Sequence, residues 1–236
     1  MKFIVCDTPN EIGEKIGQEI VALVQKNPHA ILGLATGSSP LPTYAVVAKA
    51  YQEGKVTFKD VKSFNLDEYL NPPFEEATYR YFMKENLFSK IDIRPENTHF
   101  PSDKDPDEYD GEIAAAGGVD LQVLGIGRDG HIGFNEPNTP FDSHTHITPL
   151  TESTREANAR FFHSLEETPH EAVTMGLGTI MKSRHIVLIA SDLTKVDAIH
   201  ALLAGKKDLA WPATVLIDHP SCEIFVTKDV YEAAKK

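Results

Sequence analysis

The sequence predicts an α/β fold, a mostly parallel sheet covered by helices on both faces. Three observations predict it. Short apolar, β-branched runs recur along the 236 residues, longer amphipathic segments separate them, and polar residues cluster just after several of the runs. Helix-length connections between apolar strands imply parallel neighbours with both sheet faces covered.

Lys2–Cys6 reads as the first strand. Asn10–Gln25 reads as a helix because Ile12, Ile16, Ile20, Leu23 and Val24 fall at helical spacing. Ala30–Ala35 is a strand and Leu41–Gln52 a helix. Val61–Leu66 is a strand, with a helix following near Thr78–Phe88. The acidic segment Pro106–Ala116 reads as a helix that leads into the strand Leu121–Ile126. A helix is expected within Glu171–Met181, then the strand His185–Ala190, the helix Lys195–Leu203 and the strand Glu223–Thr227. No repeat or low-complexity linker divides the chain, so residues 1–236 are expected to form one domain. The polar, weakly periodic stretch 138–169 reads either as a lid over a site or as a solvent-exposed excursion.

Acidic residues outnumber basic ones 35 to 23, for a net charge of −12. That balance argues against a nucleic-acid surface, which needs clustered Lys and Arg. Any anionic ligand must be caught by a local cluster, since the global field repels it. Cys6 and Cys222 form no CxxC and no metal-type spacing. MKFIVCDTP lacks the apolar core of a signal peptide and no stretch approaches a membrane span, so a cytoplasmic protein without a membrane partner is expected.

The densest chemistry lies in GIGRDGHIGFNEP, residues 125–137, where Asp129, His131 and Glu136 fall within eight positions just past the strand Leu121–Ile126. Ligands of open α/β sheets bind at the carboxyl ends of strands. An imidazole flanked by carboxylates has a fixed tautomer and transfers protons near neutral pH. Gly125, Gly127 and Gly130 also spell G-x-G-x-x-G, but a dinucleotide fingerprint should open a helix, and Gly133 and Pro137 disfavour one.

Two further strand ends carry polar groups. TGSSP, residues 36–40, follows the strand Ala30–Ala35. Ser39 is expected as N-cap and Pro40 as the first helical residue, which makes an anion-binding helix start or an ordinary turn. In VKSFNLDEYL, residues 61–70, Asp67 and Glu68 face opposite sides of any strand, so one of them can point into a shared crevice as a general base. Three polar strand ends meeting at one sheet edge are hard to explain by packing. His144 and His146, with Asp142 near, read as a solvated strand because no further ligand is spaced for zinc. Arg155 and Arg160 read as a helix face or as a phosphate clamp. Lys195, after the strand His185–Ala190, is another phosphate candidate.

Together ATGSSP, NLDEYL, GIGRDGHIGFNEP, STREANARFF, TMGLGTIM and SDLTK resemble the glucosamine-6-phosphate deaminase family, in the family's order and over nearly the whole chain. The resemblance implies a Rossmann-like three-layer α/β/α sandwich with no metal or organic cofactor. It implies conversion of glucosamine 6-phosphate and water into fructose 6-phosphate and ammonium. By that resemblance Asp67 is the proton-transfer base, His131 opens the sugar ring, and Asp129 and Glu136 support the imidazole. Gly37, Ser38 and Ser39 form the phosphate loop, with Arg160 and Lys195 as its cationic partners. Glu68 matches a motif position without assigned chemistry.

Allosterically regulated members place basic residues just after the GFNEP loop, where this chain has His146 and Thr148, and they carry a longer tail. A short form without effector activation is therefore expected, its oligomeric state open. Two rivals stand beside this reading. A 6-phosphogluconolactonase shares a GxGxDGHxxxxxP loop but does not need the ring-opening trio. A sugar-phosphate sensor predicts an attached helix-turn-helix, whereas the chain begins directly with a strand.

Overall fold

Along each central strand, successive buried side chains enter different layers, and this alternation divides the core in two. In the computed structural model, which describes residues 1–236, Val123 on β6 (Leu121–Gly125) joins one apolar cluster and Leu124 joins the other. On β9 (His185–Ala190), Val187 and Ile189 face the first layer, and Ile186 and Leu188 the second. The first layer is closed by α1 (Pro9–Lys26), α2 (Leu41–Gln52) and α3 (Tyr79–Asn86). The second is closed by α4 (Pro106–Ala116), α7 (Val196–Leu203) and α8 (Lys228–Ala234). Such two-sided burial is why these strands are near-continuously apolar.

The main sheet adds β1 (Lys2–Cys6), β2 (Ile31–Leu34), β3 (Lys62–Asn65), β5 (Thr98–His99) and β10 (Cys222–Thr227) to these two. Its seven strands run in the order β1-β10-β9-β6-β2-β3-β5, and every neighbouring pair is parallel. The chain winds outward in one direction from β2 and in the other from β6. These two strands are neighbours, so the switch point of the sheet lies between them. The expected three-layer α/β/α sandwich is observed.

A second sheet sits over the carboxyl ends. It is antiparallel, in the order β4-β8-β7, built from β4 (Asp67–Tyr69), β8 (Glu171–Thr174) and β7 (His146–Pro149). Two expectations are corrected here. The helix expected within Glu171–Met181 is strand β8 followed by the single turn α6 (Leu177–Ile180). The polar stretch 138–169 contains β7 and α5 (Glu152–Asn158). In place of the expected Ser39 cap, α2 starts at Leu41 with Pro40 at its N-cap, and no side chain caps it. The first helix keeps the ordinary rule, with Thr8 accepting from the Glu11 amide.

Candidate active site

Four neighbouring strands of the main sheet, β9, β6, β2 and β3, send the chain segments at their carboxyl ends into one cavity of about 560 Å³. Thr36 to Ser39 enter after β2, Asp67 after β3, Gly125 to His131 after β6, and Asp192 to Lys195 after β9. This is where the switch point of an open sheet leaves a crevice. Asp67 and His131 thus open onto the same space.

Asp67 begins β4, and strand alternation decides the fates of its acidic pair. Asp67 and Tyr69 face the cavity, whereas Glu68 turns away. The Glu68 carboxylate accepts the backbone N–H groups of Tyr69 (2.9 Å), Tyr79 (2.9 Å) and Arg80 (3.0 Å). It therefore satisfies the first turn of α3, a structural task that suits an acid at a helix N-terminus. Asp67 is buried with no such help. Burial first, and the nearby charge of Glu68 second, push its carboxyl up to about 8.

Asp129 and Glu136 flank the imidazole unequally. His131 Nδ1 lies 2.6 Å from Asp129 Oδ1 and 3.8 Å from Glu136 Oε2. Asp129 also accepts the His131 backbone N–H at 3.3 Å. Burial acts to raise Asp129, but the hydrogen bond and charge of His131 and the backbone N–H groups outweigh it and hold Asp129 at about 2. The ionised carboxylate fixes the Nδ1–H tautomer, leaving Nε2 without a protein partner. Gly127 is required here, because a Cβ on it would overlap the His131 ring. The loop opens no helix. It folds back through a bridge between Ile132 and Asn135, so the G-x-G-x-x-G spacing serves this close approach.

Glu136 stands behind the ring, buried and off the cavity wall. Its Oε1 accepts the hydroxyl of Thr154 at 2.5 Å, and its Oε2 has no hydrogen-bond partner. Thr151 and Thr154, which support it, were not among the expected site residues. The signal that could have found them is the T-x-x-T spacing of an N-cap, since Thr151 caps α5 by accepting the Thr154 amide.

β8 joins the two chemical groups. Thr174 pairs with Asp67 in the ladder, and its hydroxyl accepts the Phe134 N–H at 3.0 Å. The Asn135 side chain donates to the carbonyls of Ile132 and Met175, each at 2.8 Å. One strand therefore sets the Asp67 segment and the imidazole loop against each other. Tyr69, Tyr79 and Phe134 pack as an aromatic wall, with Phe134 stacked on Tyr79 at 5.9 Å between centroids.

Gly37, Ser38, Ser39, Arg160 and Lys195 all line the cavity. Gly37 has φ +89°, a left-handed turn that suits glycine, and no atom occupies the space beside it. Arg160 lies 4.8 Å over the Phe161 ring. Arg155 is elsewhere, donating to the carbonyls of Leu165 and Thr168. His144 pairs with Asp110 at 3.0 Å, and the His146 ring contacts the His144 carbonyl. Cys6 and Cys222 are free and buried. Two clusters have ligand atoms that converge within 4.8 Å. They are Asp129–His131–Glu136 in the site and Glu19–His185–Glu223, which gathers at the amino ends of β9 and β10. No helix is long and apolar enough to cross a membrane.

A doubly wound sheet whose carboxyl-end cavity gathers a buried carboxyl and a buttressed imidazole is the site of an enzyme of the α/β class. The family model described as glucosamine-6-phosphate isomerases/6-phosphogluconolactonase matches residues 7–225, and the chain belongs to that family. Glucosamine-6-phosphate deaminase of Malacoplasma penetrans (strain HF-2) is 44% identical over 235 residues, covering 95% of this chain and 97% of the relative. That of Clostridioides difficile (strain 630) is 46% identical over 233 residues, covering 96% and 94%. The solved structure of a monomeric glucosamine-6-phosphate deaminase superposes with a TM-score of 0.94 at 34% identity, covering 99% of this chain and all of that one. The 6-phosphogluconolactonase of Thermotoga maritima, at 22% identity and a TM-score of 0.75 over 96% of this chain and 99% of that one, shares the fold.

Proposed function

We propose that this chain converts glucosamine 6-phosphate and water into fructose 6-phosphate and ammonium, an isomerisation coupled to deamination. The observation that carries the reading is that Asp67, His131, Gly37 to Ser39, Arg160 and Lys195 all line one cavity. The phosphate sits on the exposed amides of the Gly37 turn and on the two cations. His131 Nε2 exchanges a proton with the ring oxygen or anomeric hydroxyl and opens the ring. Asp67 takes the proton from carbon 2 and returns a proton at carbon 1. The resulting imine adds water and releases ammonium.

A carboxyl held at about 8 is a poor base at neutral pH until the substrate arrives. The substrate's 2-ammonium supplies the missing positive charge, which favours the ionised Asp67 and arms it only with the amino sugar bound. A positioned base of this kind contributes about 10²–10⁴-fold. Proton transfers among Asp67, His131 and water complete the reaction, so no metal or organic cofactor takes part. The 6-phosphogluconolactone reading leaves the carbon-directed base without a task. Ammonia release from glucosamine 6-phosphate, with the lactone as parallel substrate, is the test. Release that disappears in Asp67→Asn while binding persists is expected, and lactone hydrolysis alone would overturn the reading.

His146 and Thr148 stand where an anionic effector would need cations, which supports a form without effector activation. Rates unchanged by N-acetylglucosamine 6-phosphate are expected, and strong activation would refute this. A monomer acting in the cytoplasm on this small sugar phosphate, with α5 and its flanks as a lid that closes over it, completes the proposal.

A further inference from the structure

We propose that Thr154 is a positioning residue that ties the phosphate end of the cavity to the imidazole at its chemical end. The inference rests on the function proposed above and adds a residue to which that reading gives no task. Thr154 is 5% exposed and donates to Glu136 Oε1 at 2.5 Å. Its own oxygen lies 3.0 Å from Thr151 Oγ1, which also accepts the Thr154 amide at the start of α5. Each hydroxyl has one proton. The arrangement that uses both runs from Thr151 to Thr154 to the carboxylate, and the 3.4 Å approach of Thr151 to Glu136 is the weaker alternative.

The other oxygen of Glu136 is buried and unpartnered, 3.8 Å from His131 Nδ1. An unpaired buried carboxylate oxygen is costly; the Nδ1 proton is already donated to Asp129 at 2.6 Å, so Glu136 acts on the imidazole through its charge across 3.8 Å. Thr154 therefore decides whether Glu136 points at the ring. The same short helix leads directly into Arg160 on the cavity wall. Its Ser153 accepts from the guanidinium of Arg128, beside Asp129. A phosphate that draws Arg160 inward moves α5. Through Thr154 it moves Glu136 toward Nδ1, which stabilises the imidazolium formed when ring opening begins. Phosphate binding is thereby converted into acid–base readiness, and a sugar without the phosphate is bound but turned over slowly.

Thr154→Val is the test, since it keeps the volume and removes one proton while the backbone amide still reaches Thr151. Charge-assisted hydrogen bonds of this type are worth a factor of roughly 10–100. The expected result is a kcat for ammonia release lowered by about that factor with KM within about twofold, and Thr154→Ser restoring most of it. A kcat within about twofold of the parent overturns the proposal. So does a Thr154→Ser variant as slow as Thr154→Val, or a raised KM with unchanged kcat, which would mean that Thr154 only seats Arg160. Should Thr154→Val fail to fold, Thr154→Ala is read by the same criteria. A parent chain that releases no ammonia overturns the function itself before any variant is compared.

Discussion

Replacing Asp67 by asparagine separates the energetics of this carboxyl from its chemistry. Burial and the Glu68 charge hold the folded group at about 8, against 3.8 for the free side chain. Between those two values an unfolded chain gives up a proton that the folded chain retains. The contribution to stability is therefore fully present below about pH 4 and is lost progressively as the pH climbs to about 8. A shift of about four units at 1.36 kcal/mol each makes the loss about 5 kcal/mol. Asparagine is neutral at every pH and escapes it. At roughly 2–4 °C per kcal/mol for a chain of this size, Asp67→Asn should melt on the order of 10 °C above the parent at pH 8, and close to it at pH 4. Paired thermal melts across that range read the difference directly, with no substrate and no turnover. A difference that stays flat with pH would show that Asp67 is not held protonated in the empty site. The account of its arming by a cationic substrate would fail with it.

Two further perturbations probe other parts of the site. Arg160→Ala should raise KM for the sugar phosphate roughly 10–100-fold, the worth of a charge-assisted contact, with a smaller change in kcat; an unchanged KM in steady-state assays removes Arg160 from the phosphate end. Gly127→Ala should lower kcat by about 10²-fold with little loss of affinity, because the added methyl displaces the His131 ring from Asp129. Full activity in that variant would mean that the imidazole tolerates the displacement.

Much of this molecule was readable in its residues, and the exceptions share a cause. β1, α2, α4 and β9 fall where periodicity places them, because each buries a continuous apolar face that a local window can detect. The opposite fates of Asp67 and Glu68 also follow from strand alternation alone. The β8 segment reads as helix in the sequence because its apolar residues are spaced ambiguously. It becomes a strand only by pairing with β4 and β7, which come from two distant parts of the chain. Ser39 satisfied the composition rule for an N-cap, yet the chain turns one residue later, at Pro40, to begin α2. Thr151 and Thr154 carry no site signal in the sequence, because nothing local says that Glu136 lies against them.

The sequence by itself determined the layers, the parallel sheet and the loops at its carboxyl ends, since each follows from side-chain period and local turn chemistry. Only the tertiary structure decided which of those loops meet. Asp67 and His131 are sixty-four positions apart, and they line one cavity because β8 pairs with one and pins the loop of the other. Long-range pairing and desolvation are properties of the assembled fold, and the displaced acidity of Asp67 exists only there.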